Sequence, residues 1–235
     1  MSYAGDLPGI APPRSEGELL LRARALAGAT LAELCARSGT QAPPSLHRAK
    51  GFTGKLLERL LGATAGSRAE PDFVELGVEL KTLPVNRRGA PLESTFVCTI
   101  DLSEMSRTEW VRSRVRAKLA RVLWVPVEGA REIRPELRRV GQAVLWSPSE
   151  QEEQALRFDW EELSGLIARG DWERITGHLG RFLQVRPKAK NRAARRVAID
   201  AEGTMYSTLP RGFYLRTAFT AALLRRNYVV DPASP

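Results

Sequence analysis

PDFVELGVELKT, residues 71–82, decides the reading of this chain. From Phe73 to Thr82 the residues read as an extended strand, in which successive side chains alternate between faces. Val78, Leu80 and Thr82 then share one side, and Glu79 and Lys81 share the other. Asp72 stands just before this run, after Pro71, on a segment able to bend back so that its carboxylate converges with Glu79. Asp-x6-Glu-x-Lys therefore offers two carboxylates and an ammonium at one point, the arrangement of a metal-dependent phosphodiesterase. Mg²⁺ suits it, because this ion takes oxygen ligands and is usually held by one or two carboxylates plus substrate phosphate oxygens. Lys81 is placed to orient a water, to help deprotonate it, or to stabilise charge growing on phosphorus; spacing alone does not choose among these. An E-x-K strand is also the pattern of a solvated ion-pair face. Against that stands Glu58, in GFTGKLLERLLG from Gly51, where Leu56, Leu57, Leu60 and Leu61 form a helical apolar stripe and Glu58 lies off it, available to the same site.

On either side of this run, strand and helix patterns alternate. Residues up to Arg14 are rich in Pro and Gly and read as an irregular arm. Ser15 with Glu18, and Thr30 with Glu33, are capping-box signals opening two helices, the second ended by Gly39. Residues 62–70 read as a loop, and strands are expected at Thr95–Ile100 and Arg121–Val127. Between those strands TEWVRSRVRAKLARV predicts a helix with Trp110, Val111, Val115 and Leu119 inward and Arg112, Arg114, Arg116 and Lys118 outward. Another helix is predicted from Ser149 through Arg169, its first turn rich in glutamate as a helix N-terminus favours. QVRPKAKNRAARR, from Gln184, reads as extended and loop-like around its proline, and TAFTAALLRRNYVV, from Thr217, as a helix packing Phe219, Leu223 and Leu224. The pattern predicts an α/β (α+β) chain, a mixed central sheet flanked by helices. At 235 residues and 43% hydrophobic, it has the size of one domain, or one with two lobes.

The charge balance names a class of partner. A formal charge of +9 and a pI near 10.1 favour a polyanion, since Lys and Arg neutralise phosphates and release counterions. From Leu183 onward ten Lys or Arg stand against three acids, which points to DNA. Arg186 and Lys188 flank a proline in this region, and Arg or Lys to guanine is the commonest specific base contact; a solvated basic loop making phosphate contacts alone fits the same residues. Two cysteines, Cys35 and Cys98, read as small buried hydrophobes of a reducing compartment and make no zinc site. His47 and His178 are too few and too far apart for histidine-based hydrolysis and read as surface residues. No apolar run approaches a membrane span and the N-terminus lacks the form of a signal peptide, so the chain is expected in the cytoplasm.

KGFTGKLLERLLGATAGS from Lys50, DFVELGVELKTLPV from Asp72, PLESTFVC from Pro91, RVLWVPVEG from Arg121, RVGQAVLWSPSE from Arg139, ERITGHLGRFLQVRPKA from Glu173 and TLPRGFYLRTAFTAALL from Thr208 together resemble the MutH family of DNA mismatch-repair endonucleases, through nearly the whole chain. The resemblance implies a restriction-endonuclease-like fold in two lobes around a DNA cleft, one domain over residues 1–235. It implies cutting of the unmethylated strand at GATC sites, with Mg²⁺ or another divalent cation such as Mn²⁺. It assigns metal binding to Asp72 and Glu79, catalytic assistance to Lys81 and an active-site role to Glu58. Lys50 corresponds to a lysine near the scissile region, and Phe96 and Lys118 fall in segments tied to the active site and DNA cleft. Tyr214 corresponds to the tyrosine beside the target adenine, and Arg186 and Lys188 to base-reading positions. A departure is Ala117, where a histidine is expected. The implied enzyme is a monomer, activated by the ATPase MutL, itself recruited by MutS. Two alternatives stand beside this one: a type II restriction endonuclease cutting both strands, and a non-catalytic DNA-binding protein.

Overall fold

The structure, a computed structural model, describes residues 10–46, 49–105, 107–188, 196–199, 205–208 and 210–228. His47 lies outside them, as does most of the segment after Lys188. The chain divides into two compact units, one of residues 1–92 and 121–147, the other of 93–120 and 148–235.

In the first unit, three helices precede a mixed sheet. Ser15 caps α1 (Glu16–Arg24) by accepting from the Glu18 amide, and Thr30 opens α2 (Leu31–Arg37) with a full capping box to Glu33. The Glu18 carboxylate takes the Arg14 amide instead, so the first cap is only half a box. Helix α3 (Phe52–Leu61) buries all four leucines of the predicted stripe, a contribution of roughly 1.5–3 kcal/mol each. Strand β1 (Glu79–Val85) then pairs in parallel with β3 (Val122–Glu128), which pairs antiparallel with β4 (Val144–Trp146). Register places Leu80 beside Leu123 and Thr82 beside Val125. Leu80, Leu123, Val125 and Val127 belong with Leu57, Leu61, Leu19 and Leu34 of the helices to one core cluster.

One expectation fails here. The strand does not begin at Phe73: residues Val74–Leu76 form a 3-10 turn, closed by Gly77 at φ 64° and by a Phe73–Val78 bridge. Positive φ suits glycine because it has no Cβ to clash, so the glycine inside the run ends one conformation and starts the next.

The second unit carries β2 (Thr95–Thr99), α4 (Leu102–Met105), α5 (Arg114–Leu119), α6 (Glu150–Ala168), β5 (Leu183–Pro187), a hairpin of β6 (Arg196–Ile199) and β7 (Met205–Thr208), β8 (Arg211–Leu215) and α7 (Thr217–Asn227). Its main sheet runs β2-β8-β5, antiparallel throughout. Val97, Leu183, Val185, Phe213 and Leu215 are buried, as are Leu156, Trp160 and Leu163 of α6 and Phe219, Leu223 and Leu224 of α7. Two further corrections follow. The helix predicted from Thr108 is broken in two: Trp110–Arg112 is a 3-10 turn, and Ser113 caps α5 through the Arg116 amide, leaving Val111 exposed rather than inward. The stretch around Pro187 begins as strand rather than loop; β5 is an edge, where a missing N–H is tolerated.

Candidate functional site

The acidic residues gather in the first unit because of two glycine turns and one short loop. Gly62, at φ 81°, ends α3, and the amides of Thr64 and Ala65 both donate to the Asp72 carbonyl, at 2.9 and 3.1 Å. The 3-10 turn after Asp72 reverses the chain, so the Asp72 carboxylate accepts the Leu80 amide at 2.8 Å, in the middle of Glu79-Leu80-Lys81. Lys81 Nζ lies 2.7 Å from Glu79 Oε1, the i, i+2 spacing having put both on one face. These two side chains are 11% and 6% exposed. The pair is therefore no solvated surface ion pair. Removing two charges from water costs several kcal/mol that their attraction only partly offsets, so a buried pair is a poor stabiliser. Helix α3 packs on β1 and carries Glu58, half-buried and off the leucine stripe. Lys50 is exposed in the turn before Gly51, the residue that opens α3.

Among the described residues no three His, Cys, Asp or Glu converge as a metal cage. What the strand offers is the Glu79 carboxylate, with the Asp72 carboxylate held to the amide of the next residue, Leu80. This hard oxygen set fits a divalent cation such as Mg²⁺, which keeps waters and takes the rest of its ligands from substrate phosphate.

The predicted reading residues gather in the second unit, on one face of its sheet. Leu183, Val185, Phe213 and Leu215 are buried, and the alternate positions Arg186 and Tyr214 lie on the opposite face. Phe96, opposite Tyr214 in the register, meets its ring edge-on with centroids 5.3 Å apart. Arg186 donates to Ser94 Oγ at 2.6 Å, its guanidinium carbon 6.0 Å from the Tyr214 ring centre. Lys188 donates to Thr99 Oγ1 at 2.7 Å, with Nζ 4.2 Å from the Phe96 ring centre. Burial pushes the Tyr214 hydroxyl above its ordinary value; Arg186 pulls it down and Glu93 up. Phe96 thus sits among the basic residues of its own unit. Lys118 is partly buried on α5, a helix held to α6 by Glu153, which accepts both Trp110 Nε1 and Arg116 Nε, at 2.9 and 2.8 Å.

Asp159 escaped the sequence reading. It is 1% exposed on α6, and its carboxylate accepts three consecutive amides ahead of and within β5: Arg181 at 2.8 Å, Phe182 at 2.5 Å and Leu183 at 2.8 Å. It thereby fixes the start of the strand that carries Arg186. In FDWEEL an aspartate looks like one more solvated acid, and its partners lie more than 20 residues away. His178 is exposed, as expected, and both cysteines are free, Cys35 buried and Cys98 only partly so. No helix among the described residues is long and apolar enough to cross a membrane.

Comparison with known proteins identifies the family. The family described as "DNA mismatch repair enzyme MutH" matches residues 61–159, which include Asp72, Glu79 and Lys81. A Klebsiella pneumoniae subsp. pneumoniae protein named "DNA mismatch repair protein MutH" is 55% identical over 224 residues, 95% of this chain and 97% of its own. An Escherichia coli O127:H6 protein of the same name is 53% identical over 224 residues, covering 95% of this chain and 98% of its own. With such identity over nearly its whole length, this chain belongs to the MutH family of DNA mismatch repair enzymes.

Proposed function

We propose that the chain is a divalent-metal-dependent endonuclease that nicks the unmethylated strand of duplex DNA at GATC sites during mismatch repair, both units together forming one enzyme. The observation that carries this reading is the Glu79–Lys81 pair, buried on one strand face with the Asp72 carboxylate pinned to the amide between them. In it Asp72 and Glu79 hold Mg²⁺, or Mn²⁺ in its place. When bound, the ion supplies Lewis-acid polarisation of the scissile phosphate and acidifies water. The protein residues do the rest. The Leu80 amide fixes one Asp72 oxygen, so this carboxylate is oriented before substrate arrives. Lys81, poised against Glu79, brings a positive charge and a proton-bearing group to the reacting phosphate, and Glu58 adds a further carboxylate from α3.

Sequence reading falls to the basic face of the second unit, Arg186, Lys188 and Tyr214, with Lys50 and Lys118 on the backbone. Tyr214 keeps its proton throughout the physiological range, since its hydroxyl titrates above its ordinary value. A neutral phenol beside an adenine accepts a hydrogen bond from the exocyclic amine, and a methyl group there takes the place of that N–H or clashes. The protein acts as a monomer in the cytoplasm, and MutL, with MutS and ATP upstream, is the activating partner. One site per monomer accounts for a single cut, because double-strand cutting calls for a symmetric pair of sites.

The test uses three duplexes, unmethylated, hemimethylated and fully methylated at one GATC, incubated with Mg²⁺, with and without MutL and ATP, and resolved on a denaturing gel. Nicking confined to the unmethylated strand, increased by MutL and abolished by Asp72→Ala or Glu79→Ala while DNA binding persists, is the expected result. Cleavage by Asp72→Ala at the normal rate removes the proposed site, and methylation-blind cutting of both strands without MutL points to a restriction enzyme.

A further inference from the structure

The β2–β8 pairing contains an irregularity with a geometric effect. Phe96 lies opposite Tyr214, but Cys98 lies opposite Phe213 and Thr99 opposite Gly212. Directly opposed residues of an antiparallel pair share a face. Tyr214 and Gly212, two apart on β8, are on one face, so Phe96 and Thr99 are on that face too, although an odd spacing of three should separate them. The bulge between Phe96 and Cys98 re-aims Thr99, a use to which bulges near functional sites are put.

Gly212 completes the arrangement. A Cβ there would lie 2.8 Å from Phe96 Cε2 and 2.9 Å from the Cys98 carbonyl oxygen. The absent side chain is therefore what lets the Phe96 ring lie across the central strand, from β2 towards β5. On the far side the ring meets the Lys188 ammonium at 4.2 Å, and Thr99 Oγ1 accepts from the same nitrogen at 2.7 Å. The root of Lys188 is tied as well, its amide donating to the Pro210 carbonyl at 2.7 Å. A lysine is a point charge on a flexible stem, poor at choosing between acceptors unless something fixes it. A ring face within about 6 Å and a hydroxyl at hydrogen-bond distance are the two groups suited to do so.

We propose that Phe96, seated on Gly212, and Thr99, brought round by the bulge, are positioning residues that hold Lys188 in one place on the exposed sheet face and thereby sharpen sequence selectivity. This rests on the reading of Lys188 as a base-contacting residue. Preplacement lowers the ordering cost of the correct contact and denies the ammonium the reach needed for a displaced acceptor.

The experiment measures, by fluorescence anisotropy in Ca²⁺ with the full chain, the affinity ratio between a GATC duplex and one with a single base pair replaced. Phe96→Leu keeps apolar bulk and removes the ring face; Phe96→Tyr restores a ring; Thr99→Val removes the acceptor at constant shape. Phe96→Leu is expected to lower the ratio about fivefold, with Phe96→Tyr recovering most of it and Thr99→Val giving a smaller loss of the same kind. Thermal melting confirms that each variant folds. Lys188→Ala lowers the ratio at least as far, and adding Phe96→Leu to it lowers it no further. A Phe96→Leu ratio equal to the parent's, or a loss that persists undiminished on the Lys188→Ala background, overturns the positioning role and leaves base reading by Lys188 intact. A Lys188→Ala ratio equal to the parent's overturns the base-reading assignment itself, and the positioning role with it.

Discussion

Replacing Asp159 tests whether one buried carboxylate anchors the β5 strand. Asp159→Ala leaves the amides of Arg181, Phe182 and Leu183 without the acceptor they share. A buried donor stripped of its partner costs about 1–3 kcal/mol. The Leu183 bond is buried and the other two partly so; about 2 kcal/mol for the first and about 1 for each of the others gives a loss near 4 kcal/mol. Against a typical total of about 5–15 kcal/mol this is severe. With a urea slope of about 2 kcal/mol per molar, the midpoint of the second unit should fall by about 2 M. Asp159→Asn separates hydrogen bonding from bulk. Its one oxygen can keep the Phe182 and Leu183 pair, which share Oδ2, while its NH₂ opposes the Arg181 donor, so the loss should be about a quarter of that of the alanine variant. Urea titration followed by circular dichroism reads both. A loss under about 1 kcal/mol for Asp159→Ala, or an asparagine variant no better than the alanine one, refutes the reasoning.

Acid should destabilise the fold through particular carboxylates. At Glu152 burial works against ionisation, but the Ser149 amide and Arg226 outweigh it and hold the carboxyl below its usual range; a hydrogen bond from Arg121 does the same for Glu16. A depressed folded-state value gives stability that is present above the unfolded value of about 4.3 and lost as pH falls through the folded one. Glu152→Gln should therefore lower the urea midpoint at pH 7 and flatten its decline as pH falls below the unfolded value; an unchanged slope contradicts this. In the first unit, Gly62→Ala puts a Cβ 2.7 Å from the Ala11 carbonyl oxygen at φ 81°, and should cost about 1–3 kcal/mol from the backbone conformation alone. A melting temperature equal to the parent's shows that the turn tolerates a side chain.

Local signals were legible where the physics is local. The Thr30–Glu33 capping box placed the start of α2 correctly, because a cap needs only the next three residues. The pairing of Glu79 with Lys81 follows from a period of two, and the leucine stripe of α3 from a period of 3.6. The burial of the Glu79–Lys81 pair was not legible, since exposure depends on what distant segments cover. Asp159 was missed for the same reason, as was the bulge that turns Thr99 towards Phe96: both exist only once β5 and β2 have found their partners on other elements. Ser113 could have been read, being a helix-capping residue followed three positions later by the amide that it accepts. The apolar spacing across it masked the break.

The interleaving of the two units constrains how this chain can be taken apart. Its backbone passes from one to the other after Leu92, returns after Ala120 and leaves again after Ser147. A single cleavage anywhere leaves at least one unit in two pieces, so neither the acidic strand nor the basic sheet is a detachable cassette. Residues 93–120 are in effect part of the crossover that a parallel β1–β3 pair requires, lengthened until it contributes a strand and two helices elsewhere. Exchange of target preference between relatives must then proceed by grafting scattered positions onto an uncut chain, because no terminal fragment carries the basic face together with everything that supports it.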